Sequence, residues 1–135
     1  MTALTVPARL DRLEDVLAFL EAALAQHPGS AQARREIALA AEELFVNIAR
    51  YAYAPGAGTA TVECAVGGDP PAATIRFSDA GVPYNPLEHA DPDLSLSAAE
   101  RPVGGLGILL VKRIMDRVDY ERRGGMNVLT IRKTL

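Results

Sequence analysis

The first part of the chain changes from a strand-like to a helix-like pattern of apolar residues. Thr2, Leu4 and Val6 alternate with their neighbours, which predicts a short strand that ends at Pro7. From there the apolar residues recur every three or four positions, which predicts a helix from about Ala8 to Gln26 with one buried face. The residues predicted on that face are Leu10, Leu13, Leu17, Leu20 and Leu24.

A second helix and a hairpin are predicted next. Ser30 is the expected N-cap of a helix that runs to about Tyr53, where Pro55-Gly56-Ala57-Gly58 ends it. Two β-prone runs follow, Thr59 to Val66 and Ala73 to Phe77. The segment between them is rich in Gly and Pro, so the two runs indicate an antiparallel hairpin.

The segment after Asp79 has no regular period, because Pro83, Pro86, Pro92 and Pro102 interrupt it. An irregular loop of this length is typical of an active-site lid. Beyond it, Gly107 to Val118 predicts a helix. The runs Tyr120 to Arg123 and Asn127 to Arg132 predict a closing hairpin turned by Gly124-Gly125.

This order of elements predicts an α+β fold in a single domain spanning residues 1–135. The expected architecture is a mixed, mostly antiparallel sheet covered on one face by about three helices. A composition of 49% hydrophobic and 23% charged residues is that of an ordinary globular domain.

Charge and cysteine content narrow the classes of function. A net charge of -3 argues against a broad nucleic-acid surface, which needs clustered Lys and Arg. The apolar run from Leu106 to Val111 is far shorter than the ~20 residues of a membrane span, so no membrane partner is expected. The single Cys64 and the absence of a leader pattern favour a reducing, cytoplasmic location.

Three groups of residues carry the candidate chemistry. Glu43 and Asn47 lie four apart on one helical face, where a carboxylate and a carboxamide can point at one ligand. Asp79 ends a predicted strand, where it can accept a hydrogen bond from an adenine amine, and Gly81 permits close backbone approach. Gly104 to Gly107 opens a helix whose free N–H groups suit phosphate. Each group also has an alternative without a ligand. Glu43 and Asn47 could be a solvated helix face, the segment from Asp79 to Gly81 a plain turn, and the segment from Gly104 to Gly107 a flexible hinge.

Together these motifs resemble the Bergerat-fold ATP site of the GHKL ATPase superfamily, and within it the RsbW-like anti-sigma-factor serine/threonine kinases. The resemblance extends from the first strand to Thr130-Ile131-Arg132. The chain departs from the D-x-G-x-G pattern of the family, because Pro83 stands where the second glycine is expected. Proline removes a backbone N–H and stiffens that loop.

The resemblance implies that Asn47 is the Mg²⁺ ligand and Glu43 the catalytic base, with ATP and Mg²⁺ as cofactors. Arg50, one turn beyond Asn47, is expected to face the phosphates, and Thr130 to lie near the adenine. The complete set of residues expected to bind the nucleotide is Asn47, Arg50, Asp79, Gly81, Arg101, Gly105, Leu106, Gly107 and Thr130.

The resemblance also implies partners. The expected activity is phosphorylation of a Ser or Thr on a STAS-domain anti-sigma antagonist, with a sigma factor as second partner. Many members of the family form a homodimer, but the sequence pattern shows no interface for one. Two alternatives stay open on the sequence alone, a nucleotide-sensing module without phosphotransfer and a structural domain without a ligand. A third, the ATP-binding half of a histidine kinase, is disfavoured because the sequence has no dimerisation helix pair with a phosphoacceptor His.

Overall fold

The structure is a computed structural model that describes residues 2–88 and 106–135. Its strands are β1 (Thr2–Pro7), β2 (Thr59–Gly67), β3 (Ala72–Asp79), β4 (Arg117–Arg123) and β5 (Met126–Thr134). Its α-helices are α1 (Leu13–Ala25), α2 (Ala31–Asn47) and α3 (Leu106–Ile114). Shorter turns are a 3-10 turn at Leu10–Arg12, a π-helical turn at Ile48–Ala52 and a 3-10 turn at Pro86–Glu88.

The five strands form one sheet in the order β1-β2-β3-β5-β4. Both predicted hairpins, β2–β3 and β4–β5, are present, and the remaining pairs are β1–β2 and β3–β5. Every strand pair among the described residues is antiparallel. The predicted α+β class is therefore confirmed, with a sheet that is antiparallel throughout the described part of the chain.

One face of the sheet is buried against the helices. Along β2 and β3, buried residues such as Val62, Ile75 and Phe77 alternate with partly exposed ones such as Glu63 and Arg76. This alternation is typical of an antiparallel sheet with a single covered face. The helices contribute to the core with buried side chains that include Val16, Leu20, Ile37, Phe45 and Val111. No helix in the described ranges is long and apolar enough to cross a bilayer.

The first helix begins later than predicted. Residues Leu10–Arg12 form a 3-10 turn, so Leu10 is displaced from the buried face and is 49% exposed. Val16 is fully buried instead, together with Leu20 and Leu24. A tighter turn has a different angular step per residue, which shifts the helical face by the time α1 starts.

The last helix ends earlier than predicted, at Ile114 rather than Val118. The backbone N–H of Asp116 donates to the Arg132 carbonyl oxygen at 2.9 Å, which directs the chain into the sheet. Arg117 and Val118 are therefore the first residues of β4.

Candidate functional site

A cavity of about 260 Å³ opens between the end of α2, the end of β3 and the start of β5. Its wall is mainly apolar and includes Leu44, Phe77 and Leu129. Asn47, Asp79 and Asn127 are polar residues of the wall. An apolar cavity with a few convergent polar groups is the usual form of a small-molecule site.

Asp79 is the last residue of β3 and is only 5% exposed. Its Oδ1 accepts hydrogen bonds from the backbone N–H of Gly81 at 2.9 Å and from Nδ2 of Asn127 at 3.0 Å. Within residues 2–88 and 106–135, no group donates a hydrogen bond to the second oxygen, Oδ2. The carboxylate is thus fixed in place by one oxygen, and its other oxygen can accept from a ligand.

Asn127, a residue outside the predicted site, holds this carboxylate from the neighbouring strand. Asp79 and Asn127 are direct partners in the β3–β5 register. The Asn127 amide also donates to the Val82 carbonyl oxygen at 2.8 Å, and its oxygen accepts from the Tyr84 N–H at 3.1 Å and from the Tyr120 hydroxyl at 2.5 Å. A polar residue at the same strand alternation as the apolar Leu129 and Ile131 is the sequence signal that could have identified it.

Glu43 and Asn47 lie one helical turn apart on α2, and both are half-buried. Asn47 lines the cavity, whereas the carboxylate of Glu43 lies against Gly107 in the first turn of α3. In the described part of the structure, neither side chain has a hydrogen bond or an ion pair. Glu43 and Asn47 are therefore available to a ligand.

Asn47 fits the chemistry of a magnesium site that is completed by a nucleotide. Its carboxamide oxygen is the kind of ligand that Mg²⁺ prefers, and the ion usually keeps waters and phosphate oxygens as its other ligands. The described residues contain no group of three or more His, Cys, Asp or Glu side chains arranged for a metal.

Comparison with known proteins identifies the family to which the fold belongs. The family model of the histidine kinase-like ATPase domain matches residues 6–133. The chain belongs to this family. It is also 30% identical over 117 residues to serine/threonine-protein kinase BtrW of Bordetella bronchiseptica, a match that covers 87% of this chain and 82% of that protein. The two matches confirm the resemblance to RsbW-like kinases, and membership of an ATPase family implies that the ligand is ATP.

In this member of the ATPase family, Gly81 is required for packing within the protein. A Cβ atom at Gly81 would collide with the carbonyl oxygen of Ala52, at the end of the π-helical turn. That same oxygen accepts a hydrogen bond from the Val82 N–H at 2.9 Å, and Nη1 of Arg122 donates to the Gly81 carbonyl at 2.9 Å. The loop after β3 is therefore attached to both the π-helical turn and β4.

Pro83 lies between two residues, Val82 and Tyr84, whose backbone N–H groups both donate hydrogen bonds. The Val82 N–H donates to Ala52 and the Tyr84 N–H donates to Asn127. The loop is thus anchored on either side of the position that lacks an N–H. Pro83 contributes its ring to the cavity wall.

Thr130, which was expected to lie near the adenine, does not line the cavity. Its neighbours Leu129 and Ile131 point to the helix-covered face, so Thr130 lies on the opposite face of the sheet. It pairs there with Arg76 of β3 and Asp119 of β4.

The other expected contacts lie at or beyond the edge of the described structure. Arg50 is exposed on the π-helical turn and does not line the cavity. Leu106 begins α3 and Gly107 follows it. Arg101 and Gly105 are outside the described residues, as is most of the predicted lid.

Proposed function

We propose that the protein is a Mg-ATP-dependent serine/threonine kinase that phosphorylates a STAS-domain anti-sigma antagonist and binds a sigma factor when that antagonist is absent. Two features support ATP binding and phosphoryl transfer. Among the described residues, no group donates to the second carboxylate oxygen of Asp79 in its apolar cavity. Asn47 of the cavity wall and Glu43, one helical turn away on α2, have no hydrogen-bond or ion-pair partner among the same residues. Membership of the RsbW-like family supports the choice of partners.

Each residue would have a separate role in the transfer. Asp79 would accept a hydrogen bond from the adenine amine, and Asn47 would hold Mg²⁺ through its carboxamide oxygen. Charge neutralisation on the β- and γ-phosphates is the chemistry that a bound Mg²⁺ supplies. The hydroxyl oxygen of the substrate would bond to the γ-phosphorus while the bond between that phosphorus and the ADP oxygen breaks. Glu43 would accept the proton that the hydroxyl loses.

The observation that carries the kinase proposal is the unpaired state of Glu43. A carboxylate that only stabilised the fold would be expected to bind a cation or an N–H group, and the described residues give Glu43 neither. A base must instead keep its oxygens free for the proton that it takes up. The carboxylate lies against the first turn of α3, whose N–H groups favour negative charge.

The decisive experiment compares Glu43→Gln with Glu42→Gln in phosphotransfer from ATP to a STAS-domain antagonist encoded beside the gene. Glu42 is the exposed neighbour of Glu43 on α2 and is the matched control. Loss of the base should lower the transfer rate by about 100-fold or more. ADP affinity should remain within about threefold, because the adenine contact is unchanged.

Two outcomes would contradict the kinase proposal. Equal transfer rates for Glu43→Gln and Glu42→Gln would remove the assigned role of Glu43. Tight ATP binding by the wild-type protein without any transfer to the antagonist would instead favour a nucleotide-sensing module that docks its partner.

A further inference from the structure

The hydrogen bonds of Asn127 fix the orientation of its amide. On one side lie two acceptors, the Asp79 carboxylate and the Val82 carbonyl, and on the other side lies the Tyr84 N–H donor. A flipped amide would place its oxygen against both acceptors and its NH₂ against the donor. Only the observed orientation satisfies all three groups.

In this orientation the Asn127 side chain is saturated. Its two N–H groups donate to Asp79 and Val82, and its oxygen accepts from Tyr84 and Tyr120. An amide has two donors and two acceptor positions, so none is left for a ligand. Although Asn127 lines the cavity, all the polar atoms of its side chain are hydrogen-bonded to other protein groups.

We propose that Asn127 is a positioning residue that determines base specificity through Asp79. This inference rests on the proposed function, because it concerns the same ATP site. By holding Oδ1, Asn127 directs Oδ2 of Asp79 as an acceptor towards the bound base. A 6-amino purine can donate to that oxygen, whereas a 6-oxo purine would place an acceptor against it.

The Asn127 amide also holds residues of the cavity wall in place. It joins β5 to Val82 and Tyr84, two residues of the loop after β3 that line the cavity. The Tyr120 hydroxyl joins β4 to this arrangement. Removal of the amide should leave Oδ1 of Asp79 with only the Gly81 N–H as donor and should loosen the adjoining wall at the same time.

Calorimetric binding of ADP and inosine diphosphate (IDP) to the full chain tests this role. The two ligands differ at the 6-position, which is amino in ADP and oxo in IDP. The wild-type protein should bind ADP at least about tenfold more tightly than IDP, the discrimination expected of one charged hydrogen bond. In Asn127→Leu, ADP affinity should fall about tenfold and IDP affinity less than about threefold, so the preference nearly disappears.

Asn85→Leu is the matched control. Asn85 is an amide of the same loop, where its side chain accepts from the Leu87 N–H at 2.9 Å, and it does not line the cavity. This control should keep both affinities and their ratio. Tyr120→Phe is a milder variant that keeps the ring in the wall but removes the donor to Asn127. Its ADP affinity should fall about threefold with IDP unchanged.

The outcomes separate this inference from the proposed function. Failure of the wild-type protein to bind either nucleotide would overturn both. Equal binding of ADP and IDP by the wild-type protein would overturn only the inference, as would an equal loss of both affinities in Asn127→Leu, since a purely structural role lowers them together. If thermal melting shows that Asn127→Leu is unfolded, Tyr120→Phe decides, and an unchanged ADP-to-IDP ratio in that variant counts against the positioning role.

Discussion

At the scale of single residues, the contact between Glu43 and Gly107 links the proposed base to the start of α3. A Cβ atom at position 107 would meet the Glu43 carboxylate, which is the flexible end of its side chain. Gly107→Ala should therefore fold normally but move the carboxylate away. Because small displacements of a catalytic group are costly, phosphotransfer should fall by roughly ten- to a hundredfold.

Stability should change in the opposite direction in Gly107→Ala. Alanine is favoured over glycine in a helix by about 1 kcal/mol, so the melting temperature should be equal to or above that of the wild type. Gly67→Ala is the matched control, since a methyl group there meets no atom within 4 Å. Unchanged phosphotransfer in Gly107→Ala would show that Glu43 has room to act without this glycine.

Cys64 gives a prediction about reactivity. Its side chain is buried in β2, and burial raises the pKa of its thiol by disfavouring the thiolate. We expect no reaction with a thiol reagent in the native state at pH 8 and rapid reaction in denaturant, followed by absorbance. Fast labelling of the native protein would contradict the burial of this strand.

The residues of the site differ in how far sequence could predict them. Glu43 and Asn47 follow from spacing on one helix, and Asp79 from its place at a strand end. Asn127 does not, because its partner lies 48 positions away and is fixed only by the β3–β5 register. The alternation of side chains along β5 explains why Thr130 does not reach the cavity. Thr130 lies one position from Leu129 and Ile131, so its side chain is on the opposite face of the sheet.

At the scale of secondary-structure elements, α2 carries Glu43 and Asn47, the proposed base and Mg²⁺ ligand, and depends on its N-cap. The hydroxyl oxygen of Ser30 accepts from the Ala33 N–H at 3.0 Å. Ser30→Ala should lower the free energy of unfolding by about 1 kcal/mol. Urea denaturation measures this loss, and Ser30→Asp, which keeps an acceptor, should remain close to wild type. Equal stability of Ser30→Ala and the wild type would contradict the capping role.

Helices and hairpins were predicted from local patterns, but their ends were not. The period of Leu13 to Leu24 identifies α1, whereas the 3-10 turn before it depends on packing that the period does not contain. The end of α3 is set by the hydrogen bond from Asp116 to Arg132, two residues far apart in sequence. Boundaries that are determined by tertiary contacts are not visible in a local period.

At the scale of the whole molecule, Lys133 of β5 connects three parts of the fold. Its ammonium group lies 3.0 Å from Glu36 of α2 and 3.8 Å from Asp116, and it donates to the Ile114 carbonyl at the end of α3 at 2.7 Å. The Lys133 and Glu36 side chains are only 19% and 18% exposed, so solvent screens this pair less than an open surface pair.

The two carboxylates around Lys133 make stability depend on acid pH. A hydrogen bond from Gln32 and then one from Lys133 lower the pKa of Glu36, and the Thr134 backbone N–H lowers the pKa of Asp116. A pKa that is lower in the folded state gives stability that is present above the ordinary pKa and is lost as pH falls through the folded value. Unfolding should therefore become easier below about pH 4.5.

Lys133→Met tests whether this cluster joins the helices to the sheet. The variant should unfold at lower urea concentration than the wild type at pH 7, because Glu36 loses its cation and the Ile114 carbonyl loses the Lys133 donor. It should also lose less stability between pH 7 and pH 3, since part of the folded-state preference for ionised Glu36 is gone. Arg117→Met is the control, because Arg117 and Asp119 form a pair with side chains 72% and 53% exposed, and such pairs contribute little. Parallel pH curves for Lys133→Met and the wild type would show that the cluster does not couple stability to pH.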